Sequence, residues 1–164
     1  VSDENLTFLP FYRDTMVLIT PATEYYRKWK DEGGVSMEKL LAEPFLLREQ
    51  GSGSRKCMEN YFLQTGIREQ DLHVAARLND QEAVKRLVSC GLGVSIISAK
   101  AAENDCQEGK LLSFSLPGLG AARNLYLVWR NQFILSEQIT RFMGYVQELY
   151  EREGKINKIN AQML

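Results

Sequence analysis

The chain has 164 residues, of which 45% are hydrophobic and 25% are charged, a composition typical of a soluble globular protein with its own core. The formal net charge of −1 excludes the strongly basic surface with which proteins bind nucleic acid. No apolar run approaches the roughly 20 residues of a membrane span, so we expect no membrane-embedded segment.

The first predicted elements are two strands and two short helices. Residues 6–12 are typical of an edge strand, because Pro10 interrupts the run. Residues 15–20 are almost continuously apolar up to Pro21, which predicts a strand that is buried on both faces in a parallel sheet. Two short helices are predicted to follow, at residues 25–30 and 37–42.

The most informative stretch combines a strand, a glycine-rich turn and a helix. Residues 45–47 are apolar and of strand length, and Gly51-Ser52-Gly53-Ser54 predicts a tight turn. The apolar residues at 57, 58, 61 and 62 share one face of a helix. Ser52 is predicted to cap this helix, because its hydroxyl can accept a hydrogen bond from a first-turn N–H group.

This turn has two possible roles. The free N–H groups of the first helical turn carry a partial positive charge, and the hydroxyls of Ser52 and Ser54 add donors, so the turn could hold an anion or a carboxylate. Alternatively, Ser52 only caps the helix and the glycines only make the turn. A phosphate-binding P-loop is excluded, because no Gly-Lys-Ser/Thr sequence closes the motif.

A second strand and helix follow the same plan. Residues 72–78 are predicted to be a strand, and Asn79 and Glu82 to form a capping box, with Asn79 as the cap. The remaining elements are strands at 94–97, 111–116 and 125–129, a helix at 99–103, a long apolar-striped helix from Ser136, and a frayed tail at 155–164. Strands thus alternate with helices, which predicts an α/β fold with a mainly parallel sheet.

The sequence offers little for catalysis or metal binding. His73, the only histidine, lies in a predicted strand, where a structural role is expected. No Gly-x-Ser-x-Gly elbow and no zinc-site spacing is present, so we expect no enzymatic activity, no metal and no cofactor. Arg55 and Lys85 are expected to be solvated helix residues.

The cysteines bear on the cellular compartment. Cys57, Cys90 and Cys106 are odd in number and form no paired framework. We expect Cys57 and Cys90 to be small buried hydrophobic residues of a protein in a reducing compartment, which favours the cytoplasm.

Taken together, these motifs resemble the effector-binding domain of LysR-type transcriptional regulators. The resemblance runs from about Leu6 to Tyr150, in order and at the family's usual intervals. The matching segments are residues 16–21, 44–49 with 51–55, 79–85 with Val88, 91–97, 127–130 and 135–136.

The resemblance implies a fold of two Rossmann-like lobes, as in periplasmic binding proteins, joined by crossover strands near Thr20-Pro21 and just before Tyr126. Residues 22–121 would form the second lobe. Residues 1–21 and 122–154 would form the first lobe, which is incomplete because the family's opening strand–helix units have no counterpart here.

The resemblance also implies a function. The chain would be the sensor domain of a bacterial regulator, and a small anionic metabolite in the interlobe cleft would modulate DNA binding by a helix-turn-helix that this sequence lacks. The implied effector contacts are Thr20, Gly51, Ser52, Gly53, Ser54 and Asn79. Thr20 could equally be a strand end, and Asn79 only a helix cap.

The alternative is a solute-binding protein of a transport system, which has a similar two-lobed cleft, although the free cysteines argue against it.

In either case, the incomplete first lobe leaves apolar residues at 16–19, 125–129 and 139–150 in need of cover. Because exposed apolar surface of that extent favours self-association, we expect a homo-oligomer.

Overall fold

A computed structural model describes residues 4–116 and 123–152, and the fold is given for these residues. The strands are β1 (Leu6–Asp14), β2 (Met16–Pro21), β3 (Pro44–Arg48), β4 (His73–Leu78), β5 (Ser95–Ser98), β6 (Leu111–Phe114) and β7 (Arg123–Arg130). The helices are α1 (Glu24–Asp31), α2 (Met37–Leu41), α3 (Gly53–Gln64), α4 (Gln81–Ser89), α5 (Ala99–Gln107) and α6 (Glu137–Arg152). The predicted α/β class is confirmed.

The described residues divide into two compact units. One contains β1, β7 and α6, and the other contains everything from Thr15 through β6. This division differs from the predicted lobes at β2, which we expected in the first lobe but which pairs with β5 and β6 in the second unit. The correspondence of the two units to two lobes stays a prediction, and the predicted tail at 155–164 lies outside the described residues.

The first unit is small. Strands β1 and β7 pair antiparallel from Leu6 opposite Arg130 to Asp14 opposite Arg123. The register shifts between Pro10 and Tyr12, because proline lacks the N–H group that a regular ladder needs. Helix α6 packs on β1, where the Tyr150 ring meets the Tyr12 ring edge-on at 5.0 Å between centroids.

The second unit contains a five-stranded arrangement in the order β4-β3-β5-β2-β6. Strands β3 and β4 are parallel, and β2 is antiparallel to both β5 and β6. Two backbone hydrogen bonds join the two sets of strands: Leu46 N–H donates to the Val94 carbonyl at 2.9 Å, and Val94 N–H donates to the Pro44 carbonyl at 2.8 Å. Phe45 and Val94 form a parallel bridge at this joint.

The prediction of a mainly parallel sheet is therefore wrong for β2. Its burial has another cause, because apolar cores cover both faces of the sheet. Leu18 packs in a core with Trp29 and Phe45, whereas the next residue, Ile19, packs in a second core with Val84. A strand between two cores is apolar on both faces whichever way it runs, so the apolar run alone did not determine its direction.

The joint between β3 and β5 requires a glycine at position 93. Gly93 has φ +151°, and a Cβ atom placed there would lie 2.4 Å from the Pro44 carbonyl oxygen. No side chain fits at that distance without displacement of the backbone, so the close approach of these two strands depends on the absence of a side chain.

The cysteine prediction is half wrong. Cys57 is partly buried against the larger core, but Cys90 is exposed. Cys90 is the C-cap residue of α4, beyond the last turn of the helix that packs on the sheet.

Among the described helices, none is long and apolar enough to cross a membrane.

Candidate functional site

The candidate site is the edge of the second unit's sheet at which β3 and β4 end. Arg48 and Leu78, the last residues of these parallel strands, lie opposite each other. The N–H group of Glu49 then donates to the Leu78 carbonyl at 2.9 Å. Because parallel neighbours present their carboxyl ends at one edge, helices α3 and α4 both begin there.

A third helix begins at the same edge. Strand β5 runs parallel to β3, and Ser98 at its end caps α5 by accepting a hydrogen bond from Ala101 N–H at 3.3 Å. The Ser98 cap was not predicted, although a serine directly before a run of small helix-forming residues is the usual N-cap signal. Three helix N-termini therefore converge on one edge, each with N–H groups that have no intrahelical acceptor.

The turn before α3 has the predicted form. Gly51 has φ +91°, and Ser52 caps the helix with its hydroxyl oxygen, which accepts from Arg55 N–H at 3.1 Å. The N–H groups of Gly53 and Ser54 occupy first-turn positions without an intrahelical acceptor. Capping uses only the acceptor capacity of Ser52, so its hydroxyl proton is left to donate.

Ser54 has the most informative side chain of the turn. The residue is only 6% exposed, yet its hydroxyl forms no hydrogen bond with any residue in the described part of the chain. None of the described side chains has an unpaired polar atom that is fully enclosed, so the Ser54 hydroxyl keeps a narrow contact with solvent. A nearly buried hydroxyl without a protein partner is rare, and a ligand or an ordered water can satisfy it.

The helix cap at α4 differs from the prediction. Asp80, not Asn79, is the N-cap, and its carboxylate accepts from Glu82 and Ala83 N–H at 3.1 and 3.2 Å. Asp and Asn cap almost equally well, so the sequence could not separate two adjacent candidates. Asn79 is exposed in the bend before the cap, at the same edge as Ser54, and capping does not engage its side chain.

Arg48 adds a cation that was not among the predicted site residues. Its side chain donates to the Glu49 carboxylate at 2.8 and 2.9 Å, and to the Gln81 side-chain oxygen at 3.4 Å. This pairing raises the pKa of Arg48, and the hydrogen bond from Arg48 lowers the pKa of Glu49. Arg48 thus links the end of β3 to the first residue of α4, with its charge largely compensated.

Thr20 does not join these residues. Because β2 is antiparallel to β5, Met16 lies opposite Ser98 while Thr20 points to the other edge, about 13 Å further along the strand. Thr20 is fully buried, and its hydroxyl donates to the Pro21 carbonyl at 3.2 Å. The structure therefore brings together the 51–54 turn and Asn79, but not Thr20.

The expectation that Arg55 and Lys85 are solvated is wrong. Arg55 is 2% exposed and donates to Glu59 at 2.6 Å and to the Arg48 carbonyl at 3.4 Å, and it also pairs with Glu69. Lys85 is buried between α4 and α5, where it donates to Asp105 at 2.7 Å and to the Ala101 carbonyl at 3.1 Å. Both cations therefore stabilise the unit that presents the site.

Metal binding finds no support in the described part of the chain. His73 is exposed on β4, and no three His, Cys, Asp or Glu side chains among the described residues are grouped so as to hold an ion.

Comparison with known proteins identifies the fold. The family model of the LysR substrate binding domain matches residues 1–151. The effector binding domain of QuiR in complex with shikimate superposes with a TM-score of 0.74 at 16% identity, covering 93% of this chain and 69% of that one. The Synechocystis CcmR regulatory domain in complex with 2-PG gives 0.75 at 22% identity, covering 92% and 70%.

Curated sequences give a consistent result. The RuBisCO operon transcriptional regulator of Allochromatium vinosum is 33% identical over 115 residues, which are 70% of this chain and 37% of that protein. The HTH-type transcriptional regulator YeiE of Escherichia coli is 32% identical over 136 residues, or 83% and 44%. This chain thus spans less than half the length of either relative. The predicted resemblance is confirmed, and the chain belongs to the LysR substrate binding domain family.

Proposed function

We propose that the chain is the effector-binding sensor domain of a bacterial LysR-type transcriptional regulator. The ligand would be a small, carboxylate-bearing metabolite at the edge where α3, α4 and α5 begin. The observation that carries the proposal is the convergence at this edge of free helix N–H groups with the unpaired, nearly buried hydroxyl of Ser54.

The donors suggest the ligand class. The Gly53 and Ser54 N–H groups, the Ser52 and Ser54 hydroxyls and the Asn79 side chain are neutral donors, and the charge of Arg48 is balanced by Glu49. Hydrogen bonds from such donors to a charged acceptor contribute about 1.5–3 kcal/mol each. A site of this kind suits a ligand with one or two negative charges, whereas a polyphosphate would require a cluster of cations.

The ligands of related structures support this class. The QuiR and BenM domains were solved with shikimate and with benzoate, and both compounds are carboxylates. These structures are under 25% identical to this chain, so they support the type of ligand and not its identity.

The regulatory part of the proposal rests on family membership. Relatives include the HTH-type transcriptional activator CmpR of Synechocystis, which is 29% identical over 115 residues. We propose that DNA is bound in the cytoplasm by a helix-turn-helix outside this sequence and that the regulator is a homo-oligomer. Effector binding would shift the regulator from one conformation to another. The size of this shift is limited by the difference between the effector's affinities for the two conformations. The relatives named here are transcriptional regulators, so a transport role is not favoured.

A thermal-shift screen with matched cap variants tests the proposal. A panel with shikimate, benzoate, 2-PG and acetate should contain a compound that raises the melting temperature, because a ligand specific for the folded state stabilises it. Ser54→Ala should weaken binding of that compound and leave the melting temperature of the free protein nearly unchanged.

Ser36→Ala is the matched control. Ser36 caps α2 by accepting from Lys39 N–H at 3.2 Å, so its loss should lower stability without affecting the ligand. Equal affinity of the Ser54→Ala variant and the parent for the same ligand would contradict the proposed site.

A further inference from the structure

Within the second unit, a pocket lies among residues of α2, α3 and the segment that follows β6. It has a volume of about 330 Å³, and its apolar walls are Val35, Met37, Leu40 and Leu116. Leu40 and Leu116 are buried in the larger core, and Val35 and Met37 pack against that core. Ligand pockets usually have volumes of about 300–1,000 Å³, so this pocket is large enough for a small molecule.

Tyr61 of α3 adds a polar group to this apolar pocket. The residue is only 4% exposed, yet its hydroxyl forms no hydrogen bond with any residue that the structure describes. Burial raises the pKa of Tyr61. No unpaired polar atom of the described side chains is completely enclosed, so the hydroxyl keeps a narrow contact with solvent. A nearly buried hydroxyl that no protein group satisfies requires a ligand or an ordered water.

Two exposed residues complete the polar lining. Ser36 and Thr65 also line the pocket, and their exposure places them at its mouth. The Ser36 oxygen accepts from Lys39 N–H at 3.2 Å, which leaves the hydroxyl proton to donate. The Thr65 hydroxyl donates to the Phe62 carbonyl at 2.9 Å, which leaves its lone pairs to accept. The mouth therefore offers both a donor and an acceptor.

The lining indicates the class of ligand. None of the described residues that line the pocket is charged. An ionised ligand would lose its hydration in this apolar lining without gaining an opposite charge, which is unfavourable. A neutral ring compound loses little hydration, and one hydroxyl or amide group on it satisfies Tyr61. A cavity of about 150 Å³ holds one benzene ring, so this pocket accommodates one or two rings.

We propose that this pocket binds a second small ligand, a neutral molecule of one or two rings whose hydroxyl or amide group hydrogen-bonds to the Tyr61 hydroxyl. The site is separate from the proposed effector site. Tyr61 and Ser54 are both on α3, about 10 Å apart along the helix axis at a rise of about 1.5 Å per residue. The two sites also differ in chemistry, because the free N–H groups at the start of α3 favour a negative charge. The second site therefore does not depend on the proposed function.

A ¹H–¹⁵N NMR titration of the chain with 2-naphthol tests the proposal. The matched control ligand is 2-naphthoate, which has the same two rings but carries a negative charge. With 2-naphthol, saturable shift changes should be largest at residues 35–40 and 61–65, and 2-naphthoate should bind there at least tenfold more weakly. The proposal is overturned if 2-naphthol gives no saturable change, if its largest changes occur at Gly53 and Ser54, or if both compounds bind the pocket equally.

Matched variants test the role of the Tyr61 hydroxyl. Tyr61→Phe removes only the hydroxyl, so the affinity for 2-naphthol should fall about three- to tenfold, whereas the melting temperature of the free protein should not fall. Met37→Trp, which fills the pocket with a larger apolar side chain, should abolish binding. Equal affinity of the Tyr61→Phe variant and the parent would show that the hydroxyl meets only water and would contradict the assigned contact.

Tyr26→Phe is the matched control variant. Tyr26 is also buried, but its hydroxyl donates to the Glu43 carboxylate at 2.6 Å. Its loss should therefore lower the melting temperature and leave the affinity for 2-naphthol unchanged. A loss of 2-naphthol affinity in Tyr26→Phe as large as that in Tyr61→Phe would show that the effect is not specific to the pocket and would overturn the assignment.

Discussion

The substitution Gly93→Ala tests the joint that brings the three helix N-termini to one edge. Gly93 precedes Val94, which lies directly before β5 and whose N–H and carbonyl groups form both backbone hydrogen bonds to β3. The new Cβ atom would lie 2.4 Å from the Pro44 carbonyl oxygen and 3.1 Å from the Pro44 carbonyl carbon. Both are backbone atoms and cannot rotate away, so the strands must separate.

The expected loss of stability has two parts. A positive φ costs a residue with a side chain about 1–2 kcal/mol, and the steric overlap costs about 1–3 kcal/mol more. Gly91→Ala isolates the first part, since Gly91 has φ +82° but a Cβ there would meet no heavy atom of another residue within 4 Å. Gly93→Ala should therefore destabilise the second unit by about 2–5 kcal/mol, and Gly91→Ala by about 1–2 kcal/mol.

Urea unfolding followed by tryptophan fluorescence measures both variants. Trp29 reports on the second unit, because it is 2% exposed and packs on Phe114 of β6 with ring centroids 5.8 Å apart. A larger loss for Gly93→Ala than for Gly91→Ala is the expected result. Equal losses would show that the strands do not approach as described, and the convergence of helix ends at the site would lose its support.

Three further predictions follow from the site and its support. Ser54→Ala should weaken carboxylate binding roughly tenfold, the equivalent of one charge-assisted hydrogen bond, as measured by isothermal titration calorimetry; unchanged affinity would contradict a contact. Asp80→Ala should lower the free energy of unfolding in urea by about 1 kcal/mol and Asn79→Ala should not; the opposite order would restore Asn79 as the cap. Hydrogen bonds from Arg77 and Arg55 lower the pKa of Glu69 below its ordinary value of 4.5. The ionised Glu69 carboxylate therefore stabilises the folded protein above pH 4.5, and this stabilisation declines as the pH falls through the lowered pKa. Glu69→Gln should therefore flatten the acid side of the stability–pH curve, and an unchanged curve would refute this role.

Local patterns predicted the elements well because each depends on neighbouring residues. The strand, turn and helix at 44–64 were predicted from an apolar run, paired glycines and a serine cap, and all three are present. The Ser52 cap was also correct, since an N-cap bond joins residues only three positions apart. The cap at α4 was misplaced by one position, because Asn79 and Asp80 are adjacent and chemically similar.

Other errors concern contacts between residues far apart in the sequence. Strand direction depends on which neighbours a strand pairs with, so the antiparallel course of β2 and the resulting position of Thr20 at the opposite edge were not predictable from an apolar run. Burial of Arg55 likewise depends on Glu69, a residue 14 positions away. Ser98 was missed for a different reason: its cap signal was present, but only the parallel bridge of β5 to β3 brings it to the site.

The most direct test of the central claim is a ¹H–¹⁵N NMR titration of the chain with the carboxylate that gives the largest thermal shift. The largest amide shift changes are expected at Gly53 and Ser54, with smaller ones from Asn79 to Gln81, because these N–H groups lie where the ligand would bind. Largest changes around Thr20 and Leu112, which lie at the other edge of the sheet, or no saturable change with any carboxylate of the panel, would contradict it.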